Sequence, residues 1–484
     1  MVIQGNDRGD ETMMQAALYQ TTLGIRETLA LQNPPAFRRI TEEEESKGYR
    51  HPTVYLDPAA TFQTLEGIGG AMTEAACWTL SQMPGPMRSE VLRSYFAPPG
   101  GCGYDVIRFP MNSCDFSIEH YSCCDTEGDF ELKTFRMERE RKWMIPMVKE
   151  ALSLHPGLKV LLSPWSPPAW MKSNGEMDHG GKLRKECLES WANYYCRYIE
   201  ALGAEGIPVW GLTVNNEPNA SQPWDSLILS ANEERDFIRD HLGPALARNG
   251  YASVKVLIWD HNRDYLYNRA SVIYRDPEAS KYVWGAAFHW YGDNCYENVD
   301  LTHDAFPDKN LFFTEGCNGG NNHYDLEWSA DEPDPNGIFL HRGIWEAGER
   351  YARNMIQDFN HHTSGWLDWN MVLDEKGGPR HLPGGCGAPY LYNVQTGVLE
   401  QTTSFPYLAH FFHFLRAGAV RIAAAPSKNA LECTAFRNPD GKIVLIVMNR
   451  TEKALSFDCV CGDQAARATI PPRSIQTWQI VSCD

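Results

Sequence analysis

Two glutamates carry the clearest chemical signal in this chain. Glu217 stands near the end of Trp210 to Pro218 (WGLTVNNEP), and Glu315 stands near the end of Asn310 to Cys317 (NLFFTEGC). Each follows a short apolar run with β-branched or aromatic residues, the composition of a buried strand. Pro218 cannot continue a central strand, so the first glutamate falls at a strand end. In parallel α/β folds those ends are where ligands bind and chemistry is done. Two carboxyl groups brought together there suit cleavage of a glycosidic bond: one protonates the leaving oxygen, the other attacks the anomeric carbon or activates water. Either glutamate alone reads equally well as an ion-pair partner for an arginine. The same design at two strand ends favours the chemical reading.

The elements that must position this pair are legible as alternation. Short apolar runs begin with EGIGG and continue with Asp105–Met111, Lys159–Trp165, Val209–Pro218, Lys255–Asn262, Val283–Tyr291, Asn310–Cys317 and Gly365–Leu373. Between them lie segments such as RKWMIPMVKEALSLH and LESWANYYCRYIEALGAEG, apolar at three- and four-residue steps. Eight strands with helical crossovers over roughly 310 residues predict a (β/α)8 TIM barrel, whose usual size is ~250 residues. A doubly wound open sheet is the alternative that pattern alone leaves open. After about residue 385 the pattern changes to short alternating strands with a hairpin turn at Pro439 to Gly441, which predicts a C-terminal antiparallel β-sandwich-like domain. The expected divisions are 1–60, an N-terminal segment partly pairing with the β domain; 61–385, the barrel; and 386–484, the β domain.

The strand ends carry Arg108, Trp165, Asn216, Glu217, Asp260, His261, His289, Trp290, Tyr291, Glu315, Asp368, Trp369 and Asn370, which a barrel would gather at one mouth. The formal net charge of −18 argues against nucleic acid or an anionic membrane surface as partner. No run of ~18 apolar residues marks a membrane span. The start, MVIQGNDRGDETMMQ, lacks an apolar signal region, so a cytoplasmic setting is expected, or a secreted one had a leader been trimmed. The 14 cysteines then read as reduced thiols. Cys123-Cys124 and Cys459-x-Cys461 do not have zinc-site spacing, so no metal and no cofactor is expected.

At this point the motifs become specific. WGLTVNNEP resembles the fourth-strand motif of clan A glycoside hydrolases. FQTLEGIGGAMTEAA, IRFPMNSCDFS, SPWSPPAWMKSNG, DPEASKYVWGAAFHWY, FFTEGC and GWLDWNMVLDEKGGP resemble, in order, segments of the glucosylceramidase family, glycoside hydrolase family 30. The resemblance covers roughly residues 60 to 480. It implies a retaining exo-β-glycosidase hydrolysing terminal β-glucosides through a covalent glycosyl-enzyme, with Glu217 as acid/base and Glu315 as nucleophile. It further implies that Asn216 binds the sugar 2-hydroxyl, that Arg108 keeps Glu315 ionised, and that Tyr291 hydrogen-bonds the nucleophile. Asp115, Trp165 and Trp369 match glycone-binding positions; core packing is the plainer reading of the two tryptophans, and turn capping that of Asp115. His289 and Asp368 are expected to orient other groups. The substrate would be a β-glycoside small molecule or oligosaccharide. A β-xylosidase or β-1,6-glucanase of the same family, a catalytically silent sugar-binding homologue, and a thiol or metal enzyme are the competing readings. The stretches after Glu315 (Asn318 to Gly337) and from Arg380 to Asn393 depart from the family and would border the aglycone entrance.

Overall fold

Eight parallel strands close into a barrel in simple sequential order: β1 (Gly67–Ala71), β2 (Val106–Met111), β3 (Lys159–Pro164), β4 (Val209–Thr213), β5 (Lys255–Asn262), β6 (Gly285–His289), β7 (Asn310–Glu315) and β8 (Gly365–Asn370). This computed structural model describes residues 13–24, 28–98, 100–318 and 345–481. Most of the divergent stretch after Glu315 lies outside the described residues, as do the first 12 positions. The strands are apolar runs rather than alternating ones because helices cover their outer faces and side chains fill the interior, so both faces are buried. β1, β2, β6 and β8 are buried at every position. The helix Leu188–Ala204 shows the complementary pattern, burying Trp191, Tyr194, Tyr195, Tyr198, Ile199 and Leu202 at three- and four-residue steps.

The barrel interior is layered. Val106, Leu161, Leu257, Ala287, Phe312 and Leu367 pack as one apolar cluster, one residue from each of six strands. Side chains two positions further along a strand face the same side. Arg108, Ser163, His289, Thr314 and Trp369 therefore form the next layer toward the C-terminal mouth. The polar layer stands directly on the apolar one. At the narrowest strand contact only glycine fits, since a Cβ on Gly69 of β1 would stand 1.7 Å from the Val106 carbonyl oxygen of β2.

The chain falls into two compact units, one comprising 66–347 with 357–405, the other 1–65, 348–356 and 406–484. The second contains a ten-stranded sheet whose order begins at Ala30–Gln32, Gln15–Thr22 and Ser474–Val481 and ends at Gln464–Ile470 and Phe37–Arg39. Leu18 and Phe37, near opposite ends of that order, share one core cluster with Val54, Leu445, Phe457 and Trp478. In a flat sheet their strands would lie tens of ångströms apart at ~4.8 Å per strand, so the sheet curls over its own core, as a sandwich does. Two features differ from the sequence expectation. Thr53–Thr64 pairs in parallel with Leu455–Cys461, although an all-antiparallel module was expected. Residues 386–405, expected with the β domain, belong to the barrel unit. There Tyr390–Tyr392 pairs with Val372–Asp374 and Leu399–Gln401, and strand pattern alone does not reveal which sheet a short strand joins. Among the described residues every cysteine is a free thiol and no helix is long and apolar enough to cross a membrane.

The glycine contacts give a paired test. Gly69→Ala should lower the midpoint of thermal unfolding by an overpacking cost of about 1–3 kcal/mol or more. Gly203→Ala, in the helix Leu188–Ala204 with nothing within 4 Å of the added Cβ, should raise it slightly. Equal midpoints for the two variants would overturn the close-approach argument.

Candidate active site

Arg108 is wholly buried in the polar layer, and four hydrogen bonds lead from its guanidinium. Nε donates to Ser163 Oγ at 2.9 Å. One terminal nitrogen donates to Glu315 Oε2. The other donates to Asn216 Oδ1 at 2.9 Å and to Asp260 Oδ2 at 2.7 Å. The cation also lies over Trp165, 4.7 Å from the ring centroid, and Trp369, 5.4 Å away, within range of a cation–π attraction. The two rings stack on one another at 5.3 Å.

From this cation a chain of polar contacts reaches both glutamates. Asp260 Oδ1 accepts from Thr314 Oγ1 at 2.6 Å and stands 3.1 Å from His289 Nε2. The other ring nitrogen of His289 stands 3.2 Å from Glu217 Oε1. Tyr291 donates its hydroxyl to Glu315 Oε1 at 2.9 Å. Both oxygens of Glu315 are thus held by donors, while Glu217 rests against imidazoles, with His261 Nδ1 at 3.7 Å.

Local backbone irregularities make this convergence possible. Trp259 and Asp260 both have left-handed φ, 72° and 52°, which is uncommon outside glycine. The ladder between β5 and β6 slips there, Ala287 pairing with Trp259 and Phe288 with His261. Asp260 is thereby placed beside Arg108. A second slip between β6 and β7 pairs Phe288 with Phe313 and His289 with Glu315, so Thr314 and Glu315 both address the interior. Past the end of β4, the Asn216 amide donates to the Pro164 carbonyl at 2.8 Å and the Glu217 amide to the Asp260 carbonyl at 2.9 Å. Those bonds anchor Glu217 between β3 and β5 although its own φ is 45°. Such left-handed residues concentrate at functional sites, where the surroundings over-determine them.

The electrostatics follow from burial and these contacts. Burial would lift the Glu217 carboxyl, but His261 and His289 outweigh it and hold Glu217 below the ordinary glutamate value. At Glu315 burial prevails over His289 and Arg108 and, with the negative Glu217 nearby, lifts the carboxyl above that value. Burial would depress His289, yet Glu315, Asp260 and Glu217 together raise it to about 9. Asp115, in the loop after β2, is raised to about 7 by burial against the pull of Arg380.

The sequence-nominated residues thus divide. Glu217, Glu315, Arg108, Asn216, Tyr291 and His289 form one connected network. Trp165 and Trp369 are each 1% exposed and flank Arg108. Asp368 lies apart from this network: on β8 Leu367 belongs to the inner cluster, so Asp368 takes the outer face. Its negative charge is felt there by Tyr95 and Tyr104. Asp260, the acid joining Arg108 to His289, was noted only as a strand-end residue. Its signal was an acid directly beside His261 at a strand end.

With this geometry in hand, the comparisons are consistent with one another. Residues 65–415 match the glycosyl hydrolase family 30 TIM-barrel domain and residues 418–478 the family 30 beta sandwich domain. The chain is 34% identical to the lysosomal acid glucosylceramidase of Mus musculus over 438 residues, 87% of this chain and 82% of that protein. SrfJ from Salmonella typhimurium superposes with a TM-score of 0.88 at 32% identity, covering 96% of this chain and 99% of that one. The endo-beta1,6-glucanase BT3312 superposes at 0.81 with 28% identity, covering 96% and 99%.

Replacing Arg108 tests the network. Arg108→Met leaves Asp260 and Glu315 buried without their cation, which should cost about 3–5 kcal/mol of unfolding free energy in urea titration. A loss below about 1 kcal/mol would show that the carboxylates do not depend on it.

Proposed function

The chain belongs to glycoside hydrolase family 30, and from that premise we propose that it is a retaining exo-β-glucosidase of glucosylceramidase type, acting on terminal β-glucosides. The observation that carries the mechanism is the unequal holding of the two glutamates. Glu315 accepts from a permanent cation and a phenol, one on each oxygen, which prepares a place for its anion. That is the requirement for a nucleophile. Glu217 rests against two imidazoles and no permanent cation, which suits a group that gives up a proton and takes it back. In the first step Glu217 protonates the leaving oxygen while Glu315 attacks the anomeric carbon. In the second, Glu217 deprotonates water, which displaces Glu315 with net retention. Asn216, its Oδ1 engaged by Arg108, turns the rest of its amide to the sugar 2-hydroxyl, and Asp115 serves the glycone hydroxyls.

The likeness to a lysosomal acid glucosylceramidase supports glucose as the glycone and a lipid-linked aglycone as one candidate. The structural likeness to an endo-β1,6-glucanase favours one second reading, a β-1,6-glucan. A panel of aryl β-glucoside, aryl β-xyloside, glucosylceramide and β-1,6-linked gluco-oligosaccharides separates these. The proposal expects turnover of the β-glucosides with β-glucose released first. Release of the α-anomer, or cleavage confined to internal β-1,6 linkages, would overturn it.

Added azide separates the two glutamates. Glu217→Ala should lose most of its rate on poor leaving groups, keep more of it on an acidic aryl glucoside, and yield the β-glucosyl azide. Glu315→Ala should give at most the α-azide. A β-azide from the Glu315 variant would exchange the assignments.

The pH profile offers a further test. The productive form has Glu315 ionised and Glu217 protonated, the reverse of the balance in the free site. Both forms carry one proton, so kcat/KM should be bell-shaped and peak where the pair holds one. With an activated aryl glucoside, Glu217→Gln should lose the alkaline limb. Its acidic limb should move to higher pH, because it then reports Glu315 beside a neutral amide rather than the first proton to leave the pair, which Glu217 holds less tightly. An unchanged alkaline limb would refute the role of Glu217.

A further inference from the structure

Three loops at the barrel mouth bring together side chains that the hydrolytic chemistry does not use. His120 follows β2, Asp225 follows β4 and His381 follows β8. One donor atom from each lies within 4.8 Å of the other two. The Asp225 side chain is 0% exposed, that of His381 8% and that of His120 37%. His120 Nδ1 stands 3.2 Å from Asp225 Oδ1, and His381 Nε2 stands 3.7 Å from Asp225 Oδ2. The local spacing of cysteines and histidines could not reveal this set, because its members are 105 and 156 positions apart.

The decisive feature is a mismatch of hydrogen bonding between Asp225 and His381. His381 Nδ1 is 2.9 Å from the Ser117 carbonyl oxygen, which only accepts, so Nδ1 carries the proton. Nε2 of the neutral ring then presents a lone pair. It faces Asp225 Oδ2, which is also an acceptor. Both atoms are buried and neither has a hydrogen-bond partner among the described residues. Two acceptors facing each other at that distance call for a cation between them. The Lys172 ammonium does not serve as that cation. Lys172 is committed to the Met177 and Ser226 carbonyl oxygens at 2.8 and 2.7 Å.

We propose that His120, Asp225 and His381 bind one divalent first-row transition-metal ion, zinc foremost, which ties together the loops after β2, β4 and β8. Two imidazoles and a carboxylate are a fitting donor set for zinc, and bonds of ~2.0–2.2 Å put neighbouring tetrahedral donors ~3.3–3.6 Å apart. The supporting contacts are those a metal site needs. The Ser117 carbonyl fixes the His381 tautomer, and Ser113 Oγ donates to Asp225 Oδ1 at 2.7 Å, leaving Oδ2 for the ion. The partly exposed His120 gives the ion a way in and leaves a coordination position to solvent. None of the three ligands hydrogen-bonds to Glu217 or Glu315 among the described residues, and the ion is given no part in bond cleavage. It holds the loops that carry Asp115, Trp224 and Arg380, whose guanidinium lies 4.8 Å over Phe116 and 6.0 Å over Trp224.

The test uses the full chain, free of any affinity tag and stripped with a chelator. ZnCl2 is titrated in competition with a chromophoric chelator, and CoCl2 is followed by its visible absorption. The wild type should take up one equivalent of zinc, and zinc should raise its thermal unfolding midpoint. Asp225→Asn, His381→Gln and His120→Gln should each weaken that equivalent at least tenfold and abolish the cobalt band, since even outer partners of such ligands cost 10–100-fold. His120 is the most exposed of the three, so its variant decides the question should the buried ones fold poorly. Zinc uptake equal in wild type and His120→Gln, or no uptake in competition with the chelator, would overturn the proposal.

Discussion

A single buried cation holds this site together. Removing Arg108 from water carries a desolvation cost of several kcal/mol, which only well-placed acceptors offset. Asp260 and Glu315 supply the charge, Asn216 and Ser163 the remaining acceptors, and two stacked indoles the flanking π-faces. These groups come from the C-terminal ends of five strands, β3, β4, β5, β7 and β8, or from the residues just past them. Register at the mouth is therefore constrained by electrostatics as well as by packing. A strand that slipped by one position would turn its polar residue outward and leave the guanidinium short of a partner.

The same cation explains why the site contains three acids and yet remains soundly paired. Asp260 is the structural anion, tied to Arg108, Thr314 and His289 and kept ionised by Arg108 against its burial. With that charge committed, Glu217 and Glu315 are left as the pair that holds the reacting proton. The division of labour is one of connectivity. The acid with the most fixed partners is unsuited to proton transfer, and the acid resting on titratable partners is suited to it.

Much of the barrel was legible because a parallel sheet buried on both faces leaves continuous apolar runs, and amphipathic helices between them keep a different period. Strand ends then pointed to Glu217, Glu315, Arg108 and His289. Other features depend on geometry that no local pattern carries. The left-handed pair Trp259–Asp260 redirects a strand-end acid, and nothing in KVLIWDHN announces it. The cluster of His120, Asp225 and His381 joins three loops. Asp368 is different, since parity along GWLDWN was available: with Leu367 and Trp369 inward, the residue between them must face out. Residues 390–401 were expected with the β domain, yet their strands pair within the barrel unit rather than in the large sheet.

The ten-stranded sheet has a consequence for the order in which the chain acquires structure. Gln15–Thr22 pairs along its full length with Ser474–Val481, so the earliest and latest described strands are direct neighbours. During synthesis the barrel's eighth strand ends at Asn370, while Gln15–Thr22 lacks this partner until Ser474–Val481 is made. The N-terminal strands must therefore wait, with their apolar faces uncovered, while several hundred residues are added. Such delayed, long-range pairing is slow and leaves edges open to misassociation. Gln15–Thr22 is therefore a segment that a chaperone would shield until its partner is made.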